Sequence, residues 1–269
     1  MLPRHALLPV SLHAALLLLW ATSCSVVAAA TQSVSLPTIV LVSSTDTHDS
    51  EYGRWLQLIY QHAFARLGYR LDYQGVPGAR APLLAEAGEV DGEIHRPYEY
   101  QQQTRSMVRV EESHFDVSYE AYVIRDDLHF ANWQALGQSG LHIEYRRGAK
   151  RAEKTLTQAE APTRVSDVTS TEQGLRKLAK GRVDVFIEQP LVAQHQLEKL
   201  RTEGAEYLLI HSAGTVDTLP TYAYLNRRHA KLASQLASVL RAMKRDGLIE
   251  QYHQLARSTP SADATVTRP

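Results

Sequence analysis

The sequence predicts an α/β fold made of two successive units, each a mostly parallel sheet flanked by helices. Three observations carry this reading. Residues 38–43 hold an unbroken apolar run, Ile39, Val40, Leu41 and Val42, as a strand buried on both faces requires. Leu56, Ile59, Tyr60, Ala63 and Leu67 then recur at helical spacing, and the strand-then-helix succession restarts at residue 69. A long strand pattern over 117–125 leads into a second unit of the same kind.

Taken in order, the first strand is followed by a polar stretch, 44–51, that reads as a loop, and the helix after it closes at Gly68, where a left-handed cap is expected. Tyr69, Leu71 and Tyr73 alternate with polar residues as in a half-buried strand, and a short helix with Leu83, Leu84 and Ala87 ends at Gly88. Residues 90–94 form the third strand. Alternating strands and helices imply right-handed crossovers and a parallel sheet, so the loops at 44–51 and 95–100 share the rim where ligands collect. A short strand follows at 108–110 and a long one at 117–125. The second unit opens with a strand at 141–145, continues with a helix beyond Gly148 and a strand near Val165, and then shows a capping box, Ser170 with Gln173, ahead of a helix ending at Gly181. Residues 183–187 form a buried strand, 190–202 a helix, and 207–210 and 221–225 two further strands. Leu232, Leu236, Val239, Leu240 and Met243 share one helical face, Asp246-Gly247 breaks it, and a last helix carries Leu248, Ile249, Tyr252 and Leu255.

The chain of 269 residues balances 29 Lys and Arg against 29 Asp and Glu, scattered throughout. No basic stripe stands ready to replace phosphate counterions, so nucleic acid is excluded as a partner. Arg4 and His5 precede an apolar run over 14–20 and small residues up to Ala30. That is the pattern of a signal peptide over 1–30, cleaved after Ala28-Ala29-Ala30 to start the mature chain at Thr31 in the periplasm. Cys24, the only cysteine, offers an alternative lipoprotein cleavage site, but Ala21 stands where such a site carries a large aliphatic residue. Residues 258–269 lack apolar periodicity and read as a flexible tail.

Several strings resemble the family 3 extracellular solute-binding proteins, whose members feed amino acids to ABC importers. They are Asp91-Gly92-Glu93, Gly181-Arg182-Val183-Asp184 followed by Val185-Phe186-Ile187-Glu188, and the Lys-Arg-Asp-Gly-Leu-Ile-Glu-Gln-Tyr core within 241–255. The resemblance covers roughly residues 36–257. It implies the type II periplasmic-binding-protein fold, with two lobes joined by hinge strands near 121–125 and 219–224. Lobe 1 is then discontinuous, 31–122 and 222–257, and lobe 2 is 123–221. It also implies a monomer that needs no cofactor, a small-molecule ligand and a membrane ABC permease as partner. The segment 45–52 departs from the family's longer loop, which often carries prolines and a stacking aromatic. The family's carboxylate-gripping arginine follows a Thr-Pro string that is rearranged here, leaving Arg96 or Arg105 in its place.

Arg96 stands just past a buried strand, and its guanidinium suits a ligand carboxylate; Glu188 ends the equivalent strand of the second unit and suits a ligand ammonium. An internally paired arginine and a helix-capping glutamate are the plainer readings of the same residues. Gly148 and Thr171 precede helices whose amides attract anions, although capping by Ser170 explains the latter start equally well. The 13 tyrosines against 4 phenylalanines favour aromatics with a polar handle, and Tyr52 and Tyr98 stand at loops near the expected rim with His95. Asp46, His48, Asp49 and Glu51 show no metal-ligand spacing, and Asp49 and Ser50 suit helix capping. The reading is a receptor that closes on a small polar ligand. Its alternatives are a dehydratase-like enzyme on the same fold, with Glu188, His95 or Glu144 as general acid, and a sensory or adaptor protein.

Overall fold

A computed structural model describes residues 35–158 and 164–258. The expected signal peptide with Cys24, the mature start at Thr31 and residues 259–269 of the tail lie outside them. The elements run β1 (Thr38–Ser44), α1 (Thr45–Asp49), α2 (Glu51–Arg66), β2 (Arg70–Val76), α3 (Arg80–Ala87), β3 (Gly92–Pro97), β4 (Met107–Arg109) and β5 (Phe115–Val123). They continue with α4 (Trp133–Gly137), β6 (His142–Arg146), α5 (Lys150–Thr157), β7 (Arg164–Val168), α6 (Thr171–Ala179), β8 (Val185–Glu188), α7 (Pro190–Leu200), β9 (His211–Asn226), α8 (Ala230–Arg245) and α9 (Leu248–Ser258).

The strands are ordered β2-β1-β3-β9-β5-β8-β6-β7, with β4 also on β9. β2, β1 and β3 are parallel, as are β8, β6 and β7, and the antiparallel pair β9 and β5 joins these two groups. This is the two-lobed α/β fold that the sequence predicts. In the first group Leu56, Ile59, Tyr60 and Phe64 of α2 and Leu236, Leu240 and Met243 of α8 bury Ile39, Leu41 and Ile94 on one face. Val42, Ala81, Ala85 and Met107 fill the other. In the second group Ile143, Val185 and Ile187 pack on Leu136, Ala152 and Leu156, while Phe186 faces Leu175, Leu178 and Leu197. Cover on both faces is why β1 and β8 read as continuous apolar runs.

The α2 terminus forms as the sequence implies: Gly68 has φ 79°, and the Tyr69 amide reaches back to the Phe64 carbonyl at 2.9 Å. Ser170 Oγ accepts from the Gln173 amide at 3.2 Å, but Gln173 Oε1 returns to the Thr169 amide at 3.0 Å, one residue before the expected partner.

Several elements differ from expectation. The polar stretch after β1 is helical rather than a loop, because Ser44 Oγ accepts from the Thr47 amide at 3.1 Å and starts a short turn of helix. The third strand begins at Gly92, not Val90. Asp91 turns its carboxylate onto the Val40 amide at 2.9 Å instead of extending, and the strand runs on through His95 and Arg96 to Pro97. The stretch read as a strand at 207–210 is a 3-10 turn, Ala205–Leu209. β9 then starts ten residues before the strand expected at 221. Its buried positions Ala213, Val216 and Leu219 recur every third residue, since register shifts around Glu120 of β5 turn the ribbon as it goes. A period-two search passes over such a strand.

Gly174 of α6 lies against Phe186 of β8, and a Cβ there would stand 2.2 Å from the ring. Gly174→Ala gains about 1 kcal/mol of helix propensity but must displace a buried aromatic. A net loss of about 1–3 kcal/mol is expected in urea unfolding, and a raised midpoint would show that the ring moves freely.

Candidate functional site

The carboxyl ends of β1, β3, β6 and β8 meet at the junction of the two lobes, as the parallel arrangement requires. They enclose a cavity of about 30 Å³ lined from one side by Ser44, Thr47, His95 and Arg96 and from the other by Arg146, Gly148 and Gln189. Tyr119 of β5 and Thr221 of β9 complete it at the joining strands.

Arg96 donates through Nε to Glu93 Oε2 at 2.6 Å and through Nη2 to the same oxygen, while Tyr100 Oη donates to Glu93 Oε1 at 2.6 Å. Its remaining terminal nitrogen, Nη1, crosses the junction to the Gly148 carbonyl at 3.0 Å. Arg96 is thus both internally paired and at the cavity wall. Arg105 is exposed and does not line the cavity.

Glu188 is fully engaged in the second lobe. Arg146 donates to it through Nε at 2.6 Å and Nη2 at 3.3 Å, Thr171 Oγ1 at 2.8 Å and the Gln189 amide at 2.9 Å. The two residues read as opposing jaws therefore each hold a partner within their own lobe. Burying such charges is costly unless they are paired and hydrogen-bonded, and these are.

Asp46 of α1 reaches across to the start of α6, where its Oδ1 accepts from the Thr171 amide at 2.9 Å, and its Oδ2 stands 4.0 Å from Arg146 Nε. A helix start favours an anion, and a carboxylate of the first lobe supplies it here. Arg151 of α5 adds a second tie, donating to Glu99 at 2.8 Å. Gly148 has φ 90°, and a Cβ on it would stand 2.6 Å from the Gly78 carbonyl group in the β2–α3 loop. The main chains of the two lobes touch at this point.

His95 is joined through Nδ1 to His114 Nε2 at 3.0 Å, and its own Nε2 is buried without a hydrogen-bond partner among the described residues. Burial, and next the Arg96 and Arg146 charges, lower its pKa to about 3, while the Gln189 side chain opposite, acting as a hydrogen-bond acceptor, works the other way. Tyr52 sits a layer behind, buried on α2, its ring stacked 5.6 Å from Phe115 and 6.0 Å from His95. Tyr98 is 53% exposed, carries the Arg109 guanidinium 3.6 Å above its ring, and does not line the cavity. Glu144 lies elsewhere, against Lys177 and Ser166. Among the described residues, no group of three or more His, Cys, Asp or Glu is placed to hold a metal ion.

The sequence reading passed over Glu93, Arg146, Gln189 and the tie made by Asp46. Arg146 ends β6 just as Arg96 lies at the end of β3, so the strand-end argument applied to both. Asp46 carried no such signal, since its segment looked like loop.

No protein-family model matches the chain. An uncharacterized protein of Shewanella oneidensis is 34% identical over 223 residues, covering 83% of each chain. Among solved structures, an ancestral arginine-binding protein bound to arginine superposes with a TM-score of 0.65 at 15% identity, covering 81% of this chain and 97% of that one. An arginine 3rd transport system periplasmic binding protein from Legionella pneumophila gives 0.62 at 15% identity, over 82% and 100%. A histidine kinase sensor domain with similarity to periplasmic binding proteins gives 0.66 at 13% identity, over 82% and 96%. The fold anticipated from the family 3 strings is that of these proteins.

Two outcomes follow from the geometry. With a folded-state pKa of about 3 against the ordinary 6.5, His95 stays neutral in the folded chain while the unfolded chain takes up a proton. Stability therefore declines as pH falls through that window, by up to about 1.4 kcal/mol per pH unit for this one group. His95→Gln is expected to show a smaller difference between urea midpoints at pH 7 and pH 4.5 than the parent; an equal difference would mean the imidazole is not desolvated. Asp46→Asn weakens the tie to Thr171, so small-angle scattering should give a larger radius of gyration than for the parent, and an unchanged radius would remove Asp46 from the closure.

Proposed function

The chain belongs to one family with the Shewanella oneidensis protein and has the type II periplasmic-binding-protein fold, and on that premise we propose that it is a solute receptor. Its two lobes close by a hinge on a small polar ligand, amino-acid-like or another small carboxylate, in the periplasm, and the closed form is recognised by an ABC permease. The observation that carries this reading is the junction itself. Buried polar groups from the ends of four strands converge there from both lobes, and among the described residues only β5 and β9 join the strand groups on either side. In this reading lobe 1 comprises 31–122 and 222–257, lobe 2 comprises 123–221, and the hinge lies where β5 and β9 pass between them.

A cavity of about 30 Å³ has room for roughly one water molecule, so ligand entry requires the lobes to part. On closure Arg96 and Thr171 approach the ligand from opposite sides, Gly148 and His95 form the walls, and Glu188 fixes Arg146. Tyr52 supports His95 from behind, and Tyr98 remains an outer rim residue. The named neighbours that bind arginine support an amino-acid-like ligand. Glu188, the acid best placed for catalysis, already accepts from four donors, which favours a binder over an acid catalyst.

The sensor-domain neighbour supports a second reading, in which the closed receptor signals to a kinase instead of delivering cargo.

Thermal unfolding against L-arginine, L-glutamine, L-glutamate, putrescine, succinate and benzoate tests the receptor reading. One class should raise the melting temperature by several degrees through mass action and be recovered unchanged after incubation. Gly148→Val, which obstructs closure, should lose that shift. A flat response to the whole panel overturns the reading, and consumption of the hit makes the protein an enzyme.

A further inference from the structure

Resting on that reading, a line of hydrogen bonds through the first lobe indicates what kind of ligand group the cavity accepts. Tyr60 Oη lies 2.9 Å from His114 Nδ1, and His114 Nε2 lies 3.0 Å from His95 Nδ1. Tyr60 is completely buried, and the Ala223 amide acts on its oxygen as a donor. Among the described residues the one acceptor in reach of the Tyr60 proton is His114 Nδ1. A buried hydroxyl keeps its proton bonded, so Tyr60 donates. His114 must then carry its own proton on Nε2 and donate to His95 Nδ1. By the same logic His95 carries its proton on Nε2, the nitrogen that is buried without a partner at the cavity.

Gln189 lines the cavity from the other lobe, and its Oε1 is likewise buried without a partner among the described residues. The charged groups nearby are matched among themselves: Arg96 with Glu93, Arg146 with Glu188, and Asp46 with the α6 start. Gln189 acts on His95 as a hydrogen-bond acceptor across the cavity, yet neither atom has a partner within hydrogen-bond geometry among the described residues. Buried native polar groups are seldom left unbonded, so a donor and an acceptor that face each other without closing mark a place for a third group between them.

We propose that His95 and Gln189 form a neutral recognition pair for a ligand group that accepts one hydrogen bond and donates another, a carboxamide or a hydroxyl. A carboxylate has no proton for Gln189 Oε1, and an ammonium has no lone pair for the His95 Nε2 proton. The relay from Tyr60 prevents His95 from changing tautomer to suit either, and the pair is therefore a filter as well as a contact.

The tautomer is read directly by two-bond proton–nitrogen correlation spectra of the ¹⁵N-labelled full chain. His95 should be neutral with its proton on Nε2 at pH 7, and Tyr60→Phe, which removes the relay's donor, should shift it toward the Nδ1 form. A His95 that is an imidazolium or Nδ1-protonated at pH 7 in the parent overturns the proposal. Calorimetry with L-glutamine, L-asparagine, L-serine, L-glutamate and L-arginine tests the filter. L-glutamine should bind at least tenfold more tightly than L-glutamate, and Gln189→Leu should bring the two within about twofold. If L-glutamate or L-arginine binds and the carboxamide and hydroxyl compounds do not, the pair is wrong and the receptor reading survives. If none of the five binds, the pair is wrong, and the receptor reading stands or falls on the other classes of the thermal panel.

Discussion

Two guanidiniums are buried where the lobes meet, and the geometry around them depends on the carboxylates buried alongside. Arg96 needs Glu93, and Arg146 needs Glu188; removing either carboxylate would leave an uncompensated charge worth about 3–5 kcal/mol of destabilisation. Once these pairs exist, other positions follow. Tyr100 turns inward to share Glu93, Thr171 and the Gln189 amide fill the free lone pairs of Glu188, and Arg96 keeps one nitrogen to hold the Gly148 carbonyl of the other lobe. The pairs offset each guanidinium with a carboxylate, although both arginines still act on His95 at the cavity wall. On the proposed reading a ligand would meet a few unsatisfied neutral atoms whose protonation this residual field helps to hold.

The architecture was legible in the sequence because its helices and parallel strands are covered on defined faces. β1 is an unbroken apolar run, and the α8 stripe of Leu232, Leu236, Leu240 and Met243 is buried as its spacing demands. β9 was legible only at its end: a bulged two-stranded ribbon buries every third residue, and neither simple period detects it. The turn at 205–209 misled for the opposite reason, since Leu208 and Leu209 look like core yet stand exposed. Among the candidate residues, the positions of Arg96, His95, Gly148 and Thr171 at strand ends and helix starts were legible; the first three line the cavity, and Thr171 bonds Asp46 and Glu188 beside it. Their partners were not, because pairing Arg96 with Glu93 or Asp46 with Thr171 depends on side-chain direction and on contacts between segments 125 residues apart, which no local pattern encodes.

The ties between lobes differ in kind. Asp46 to Thr171 and Arg151 to Glu99 are single charge-assisted bonds that can open without disturbing either core. The tyrosine and histidine relay, by contrast, lies wholly within the first lobe, between α2 and the strands, and moves with it as a rigid part. On the proposed receptor reading, the first lobe carries its half of the pair, His95, preassembled, and the second lobe brings Gln189 to it as a cover.

The meeting of Gly148 with Gly78 sets a limit on that cover. Two main chains in contact without side chains between them are incompressible, so in the proposed closure the lobes would halt against a fixed stop instead of tightening around whatever lies inside. The interior volume at full closure would then be a property of the protein and not of a ligand. Across a homologous series of compounds affinity would break off at one size instead of tapering, because a guest one methylene too long holds the stop apart and forfeits every contact across the seam at once.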